Sequence, residues 1–356
     1  MHVIVGLSGG VDSALSAALL QEQGYRVSGI FMRNWHERDS HCTTTADEQS
    51  AQSVADHLKI PLHVVDFSQE YIDRVFRVML DILAQGATPN PDILCNQEIK
   101  FRCLLHQAQR LQADFLATGH YAQICQSSSG ACLAQAVDEN KDQSYFLCCM
   151  PKNALTRVRF PLGKYTKVEV RQLAKARALP NALRKDSTGI CFIGERRFDD
   201  FIAQHLLDRP GEIVDTAGRK LGMHRGIFYY TIGQRKGLQL GGHAAYAEKP
   251  WYVVAKDLSL RRLIVAQGDD HPALFSHSLR AVSARWFIDP PSTTCVLGAR
   301  IRHRQAQQAI TLSPDGPDWL VVFKTAQRAI SPGQYIAFYQ GNLCIGAAII
   351  QQSHPS

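Results

Sequence analysis

The stretch Val5-Gly6-Leu7-Ser8-Gly9-Gly10-Val11-Asp12-Ser13 begins inside the apolar run His2–Leu7 and ends where the helical pattern Ala14–Gln23 starts, so it reads as a strand–loop–helix junction. In such a loop Gly9 and Gly10 let backbone N–H groups approach an anion, and the helix start adds positive potential. Ser8 and Ser13 supply hydroxyl donors. No Gly-Lys-Ser/Thr follows, which excludes the phosphate loop whose lysine reaches the terminal phosphates. Asp12 instead suits a Mg²⁺ held against pyrophosphate. The plainer alternative is a Gly-rich turn capped by Ser or Asp.

Outward from this junction, further apolar runs at Arg26–Phe31, Leu62–Val65 and Asp114–Thr118 alternate with helical patterns at Ala46–Leu58 and Gln69–Leu83. Alternation of this kind predicts a doubly wound parallel α/β sheet, and Gly24 stands where the first helix needs a left-handed C-terminal residue. Ligands of such sheets bind beyond the strand carboxyl ends. From about Pro210 the texture changes to short β-like runs broken by Gly, Pro and Asp. From Gly268 onward the runs Ser278–Phe287, Cys295–His303, Trp319–Phe323 and Gln334–Tyr339 suggest an antiparallel barrel or sandwich. The expected organisation is an α/β domain at 1–205, a small central domain at 206–267 and a C-terminal β-barrel at 268–356.

The chain has 356 residues, of which 45% are hydrophobic, enough to fill several cores. No basic leader and no run of about 20 apolar residues occurs, so a cytoplasmic location without membrane contact is expected. The ten cysteines are dispersed and are expected to be reduced; Cys103, Cys125, Cys132, Cys148, Cys149, Cys295 and Cys344 read as small buried hydrophobes. Between Pro151 and Lys236 there are 18 Lys and Arg against 8 Asp and Glu, a basic concentration that suits a polyanion such as nucleic acid.

Two further stretches carry chemistry. In Thr88 to Phe101 the segment Asn90-Pro91-Asp92-Ile93-Leu94-Cys95 places a thiol where a proline-punctuated loop turns into a helix, a position that lowers a thiol pKa. Asp92 is suited to cap that helix or to exchange a proton with a bound base. In Lys185 to Arg197, Cys191 is flanked by cationic residues that favour its thiolate. No Cys-x-x-Cys or Cys/His cluster accompanies either cysteine, so a structural zinc is not expected. A separation of 96 residues says nothing about proximity, and both cysteines could be structural.

The loop Ser8–Ser13 resembles the PP-loop of the ATP pyrophosphatase superfamily. Together with Phe31 to Trp35, Asn90 to Phe101, Thr118 to Tyr121, Lys141 to Leu147, Asp186 to Arg196, Gly233 to Gly237 and Pro250 to Val253, it makes the chain resemble the bacterial tRNA-specific 2-thiouridylase family over nearly its whole length. That resemblance implies ATP-dependent 2-thiolation of the wobble uridine of tRNA through an adenylylated uridine and a cysteine persulfide. It implies ATP at Gly6, Leu7, Ser8, Gly9, Gly10, Val11, Asp12, Ser13, Met32 and Gly119, with Mg²⁺. Cys191 would carry the persulfide, Cys95 would be the second catalytic cysteine, and Asp92 would act on the base. Either Cys95 attacks the persulfide, releasing sulfide and leaving a Cys95–Cys191 disulfide, or the persulfide attacks the activated base directly. Asn90, Pro91, Asp92, His120, Lys141, Asp142, Gln143, Arg302, His303 and Gln334 would contact tRNA. The implied partners are Lys, Glu and Gln tRNAs and a persulfide carrier or cysteine desulfurase. The rivals are another PP-loop synthetase, which would need no cysteine pair, and a non-catalytic RNA-binding protein, which would need no intact loop.

Overall fold

The computed structural model describes residues 1–35, 44–127, 130–185, 198–241 and 249–355. The strands are, in chain order, β1 His2–Gly6, β2 Arg26–Arg33, β3 Leu62–Asp66, β4 Phe115–Ala117, β5 Gln123–Ser127, β6 Gly130–Ala134, β7 Val158–Arg159, β8 Gly211–Asp215, β9 Lys220–His224, β10 Trp251–Asp257, β11 Arg262–Gln267, β12 Phe275–Trp286, β13 Cys295–Arg300, β14 Gln308–Asp315, β15 Asp318–Arg328, β16 Tyr335–Gln340 and β17 Leu343–Pro355.

The α/β unit is built on a parallel sheet in the order β3-β2-β1-β4-β7. Parallel strands are covered on both faces, which is why β1 reads as an unbroken apolar run and why Val3, Ile4 and Val5 are wholly buried. One face carries helix α1, Val11–Glu22, and helix α2, Thr44–Leu58, with the helix Lys167–Ala176 packed on α1. The other carries the helical runs 68–84 and 91–110, each containing an i→i+5 stretch, Ile72–Phe76 and Asn96–Leu104. Gly24 closes α1 as expected: at φ +82° it lets Gly24 N reach Gln21 O at 3.0 Å and Tyr25 N reach Leu20 O at 3.2 Å. Strand order departs in opposite directions from β1, to β2 and to β4, and the crevice outside their carboxyl ends is the switch point at which such sheets bind ligands.

The central unit is the sheet β10-β11-β8-β9 around Ile213, Val253, Leu263 and Val265. The C-terminal unit is a closed antiparallel barrel, β12-β15-β14-β13-β16-β17, completed by pairing of β12 with β17. Trp286 stacks on Phe338 and meets Trp319 edge-on, each at 5.1 Å between ring centroids, at the end of its core. The barrel is not a separate body. The hairpin β5–β6 of the α/β unit continues its sheet through Cys344↔Leu133 and Leu343↔Ala134, and Tyr335, Tyr339 and Ala347 share a core with Tyr145 and Leu147. The sequence patterns had missed β14, β17 and this hairpin, and no helix among the described residues is long and apolar enough to cross a membrane.

Candidate active site

The Ser8–Ser13 loop is shaped by its neighbours. Gly9 sits at φ +77°, and a Cβ there would run into the Asp47 carbonyl, so only glycine fits. Its carbonyl is turned away from the crevice by three donors: Ser50 Oγ at 2.8 Å, Asn181 Nδ2 at 2.8 Å and Arg184 Nη1 at 3.1 Å. Arg184 also pairs with Asp47. Ser13 Oγ donates to Gly10 O at 3.0 Å and accepts from Ser8 N at 3.1 Å, closing the turn on itself. No side chain caps α1 at Gly10, and its first internal bond is Ala14 N to Gly10 O, so the N–H groups of its first turn remain for an anion. Gly119 is required beside it: a Cβ there would lie 2.8 Å from Asp12 C and Ser13 N.

These elements enclose a cavity of about 290 Å³. Of the residues expected at the nucleotide, Gly6, Leu7, Ser8, Asp12, Ser13, Met32 and Gly119 line it; Gly9, Gly10 and Val11 shape the loop from behind. His120 and Gln143, expected at tRNA, line the same cavity, as do Trp35, Asp47 and Lys100. Asp12 is held by partners that its motif does not announce. Lys167 Nζ lies 2.7 and 2.8 Å from its two carboxylate oxygens, and Tyr121 donates its hydroxyl at 2.9 Å. Lys167 is aimed there by a capping box: Thr166 Oγ1 accepts from Glu169 N at 3.3 Å while Glu169 Oε2 accepts from Thr166 N at 2.7 Å, fixing the first turn of the helix that bears it. The Thr166-x-x-Glu169 spacing was the one available sequence signal.

The helix at Pro91 is capped two residues earlier than its chemistry suggested. Asn90, not Asp92, is the N-cap, accepting from Ile93 N at 3.2 Å with proline at the first helical position. Cys95 therefore falls beyond the first turn, where the positive potential of a helix start has faded, and it is 6% exposed. Asp92 is exposed, yet the protein crowded around its carboxyl raises it above the usual carboxylate range, with Lys100 opposing the rise.

The residues expected at tRNA separate into two groups. Asp142 is 2% exposed and spends its carboxylate inside the protein: Oδ1 accepts from Ala136 N at 3.0 Å, and Oδ2 accepts from Ser144 Oγ at 2.8 Å and from Arg300 Nη1 of the barrel at 2.6 Å. As placed, that carboxylate faces the protein interior and the barrel rather than the surface. Gln334 is likewise engaged: Nε2 donates to Pro89 O at 2.9 Å and Thr88 O at 3.2 Å, and Oε1 accepts from Asn90 Nδ2 at 3.2 Å. Lys141 and His303 are half-buried and Arg302 is exposed. His303 packs on Phe146 at 4.6 Å between centroids, and burial lowers its pKa with help from neighbouring cations, Lys141 among them, so the two expected patches do meet across the α/β–barrel seam.

Cys191 lies outside the described residues. The chain enters its segment just after Arg184, on the loop, and is described again at Phe198–Ile202, where Phe201 packs 6.1 Å from Trp35. Of the cysteines expected as buried hydrophobes, Cys132, Cys148, Cys149 and Cys344 are buried; Cys103, Cys125 and Cys295 are only half-buried, at sheet or helix edges. Burial raises the thiol pKa of Cys103, Cys125, Cys148, Cys295 and Cys344, which keeps them protonated and unreactive.

Comparison with known proteins agrees with this architecture. Residues 1–195 match a family described as the tRNA methyl transferase HUP domain, 199–267 its PRC-barrel domain, and 276–350 an aminomethyltransferase beta-barrel domain. Curated tRNA-specific 2-thiouridylases are similar over essentially full length. That of Legionella pneumophila is 48% identical, covering 98% of each chain. That of Stutzerimonas stutzeri is 48% identical over 99% of this chain and 95% of its own, and that of Psychromonas ingrahamii 48% over 99% and 97%. With every domain matched in order and identity sustained from end to end, the chain belongs to the tRNA-specific 2-thiouridylase family.

Proposed function

We propose that this protein is a tRNA 2-thiouridylase that activates O2 of the wobble uridine with ATP and replaces it by sulfur. The observation that carries the reading is the shared cavity: the loop, Met32 and Gly119 line it together with Lys100 and Leu104, which lie on the same helical run as Asp92 and Cys95. That neighbourhood supports one site for activation of the base and delivery of sulfur, with Asp92 and Cys95 beside the cavity rather than on its wall.

The uracil carbonyl oxygen is a poor leaving group, whereas AMP leaves readily, so adenylylation must come first. The open N–H groups of α1 and the hydroxyls of Ser8 and Ser13 hold the phosphates, and Gly119 lets that helix start approach them. The donor set suits Mg²⁺: Asp12 offers a hard carboxylate at the cavity wall, where phosphate oxygens would complete the ion's shell. Bound there, Mg²⁺ supplies charge neutralisation of the departing pyrophosphate. Lys167 holds the Asp12 carboxylate at the cavity wall. Asp92, with its raised pKa, takes the N3 proton as O2 bonds to the α-phosphorus.

Cys191 carries the incoming sulfur as a persulfide received from a carrier protein or desulfurase. Attack by Cys95 on the inner sulfur expels sulfide with its electron pair; sulfide bonds to C2, the C2–O bond breaks, and AMP departs. The Cys95–Cys191 disulfide left behind is reduced by an external thiol. The basic stretch between Pro151 and Lys236 and the exposed Arg302 supply phosphate contacts, and the extruded uridine specifies. Lys, Glu and Gln tRNAs are the expected substrates. The test is mass analysis of nucleosides from tRNA incubated with the protein, ATP, Mg²⁺ and a sulfide source. 2-Thiouridine formed with one AMP and one pyrophosphate each supports the reading; AMP and pyrophosphate without thiolated nucleoside, or neither, overturns it.

A further inference from the structure

Lys100 has no role in the scheme above, yet its placement is specific. Lys100 lines the cavity together with Ser8, Asp12, Met32 and Gly119, and its ammonium lies 3.4 Å from His120 Nε2. His120 is 9% exposed, its Nδ1 is 2.7 Å from Thr118 Oγ1, and burial pushes its pKa well below the usual histidine range, with the Lys100 charge adding to the effect. The imidazole is therefore neutral. An ammonium has only protons to give, so Nε2 must be the acceptor and Nδ1 must carry the ring proton and donate it to Thr118 Oγ1. This chain, Thr118 to His120 to Lys100, runs from the end of β4 and fixes where the ammonium points. Among the described residues no carboxylate lies within ion-pair distance of Lys100, Asp92 acting on it from farther off, and a half-buried ammonium so placed suits an anion in the cavity that Lys100 lines. In the opposite direction, Lys100 is the charged group that acts on the Asp92 carboxyl. It thus stands between the phosphate-binding loop and the residue assigned to the base.

We propose that Lys100 is a catalytic residue of the adenylylation step, its ammonium contacting a non-bridging oxygen of the α-phosphate, with His120 and Thr118 as positioning residues. This rests on the function proposed above. In the step, uracil O2 forms a bond to the α-phosphorus, the bond from that phosphorus to the oxygen bridging to the β-phosphate breaks, and the electron pair leaves with pyrophosphate. The N3 proton passes to Asp92. Negative charge builds on the equatorial oxygens of the α-phosphate as this happens, and Lys100 neutralises it there without itself gaining or losing a bond. A contact of this kind strengthens in the transition state and lowers the barrier more than it tightens ground-state binding.

The test is single-turnover release of pyrophosphate from ATP in the presence of tRNA, with no sulfur donor, for wild type, Lys100→Met, Lys100→Arg and His120→Gln. Rates are taken per molecule that binds ATP, so that misfolded protein does not count. Lys100→Met is expected to slow release about 10²–10³-fold, with ATP and tRNA affinities within a few-fold of wild type. Lys100→Arg, which keeps the cation, is expected to recover at least tenfold of that loss, and His120→Gln to fall between them. Wild-type release by Lys100→Met, or a loss wholly accounted for by weaker ATP or tRNA binding, would overturn the assignment. If the wild-type protein itself releases no pyrophosphate in a tRNA-dependent manner, the failure belongs to the parent reading and takes this one with it.

Discussion

The nucleotide cavity and the seam between the α/β unit and the barrel use the same vocabulary of polar motif residues for opposite ends. At the cavity, Asp12, Ser13, Met32 and Gly119 present themselves to an open volume. At the seam, Asp142 and Gln334 turn inward and are consumed by the protein: one in the buried pair with Arg300, the other on Thr88 O, Pro89 O and Asn90. Gly333, at φ +87°, allows that second contact, since a Cβ there would lie 2.9 Å from Thr88 O. A motif thus marks a position that cannot change, without saying whether a ligand or another domain is the reason. Gln334 thereby ties the loop before the Pro91–Cys95 helix to the barrel.

The largest expected effect breaks the seam by stability alone. The Asp142 and Arg300 side chains are 1% and 10% exposed, and Arg300→Met leaves the carboxylate buried without its cation, a loss of about 3–5 kcal/mol. Urea denaturation should show that loss, and the double variant Asp142→Asn, Arg300→Met should recover much of it. An Asp142→Asn variant of unchanged stability but weakened tRNA binding would return Asp142 to the RNA surface and end the contrast. The cavity should show the reverse pattern. Asp12→Ala is expected to cut tRNA-dependent pyrophosphate release by about 10²–10³-fold while lowering the urea midpoint less than Arg300→Met does, because Asp12 is 32% exposed against 1% for Asp142, although Lys167, at 13%, loses that carboxylate.

What could be read in advance follows the same division. Strands β1, β2 and β4 were legible because parallel strands buried on both faces keep an apolar run, and β3, an edge strand with Val64 41% exposed, by its short apolar run alone. The loop was legible because its glycines answer to local geometry, and Pro91 marked a helix start within two residues. The hairpin β5–β6 was not, since its partner β17 lies about two hundred residues away and only the closed barrel makes the pairing worthwhile. β14 alternates only over 310–313 before Pro314 interrupts it, and β17 ends in Gln351-Gln352-Ser353-His354, so neither reads as a full-length strand. Lys167 could not be foreseen as the partner of Asp12, because a lysine at a helix start acquires that role only when the helix docks across α1.

Gln334 allows a sharper test, with a smaller expected effect. Its side chain donates to two carbonyls and accepts from Asn90, so Gln334→Ala removes three bonds that orient the helix start bearing Asp92 and Cys95. Misplacement of a fraction of an ångström should lower kcat for thiolation about tenfold with KM for tRNA nearly unchanged. Gln334→Glu should do no better, since a carboxylate cannot donate to Thr88 O and Pro89 O. A rise in KM at constant kcat would instead mean that Gln334 touches the RNA.

The weakest stitch lies on the central-unit side of the same loop, where Lys256 Nζ donates to Gly86 O at 2.7 Å. Burial lowers this amine from its ordinary 10.5 to about 8. Below about pH 8 both folded and unfolded chains carry the proton, and the folded state bears the cost of a crowded ammonium. Between about 8 and 10.5 the unfolded chain still binds a proton that the folded chain has released, so folding stability rises with pH across that window. The neutral amine keeps a donor for Gly86 O, and the contact survives the titration. Lys256→Met shares every other titrating group, so urea midpoints at pH 7 and 9.5 should rise more in the wild type than in the variant. The difference is expected to be small because Lys256 remains half-open to solvent. Equal changes in both proteins would mean that the amine is solvated in the folded state.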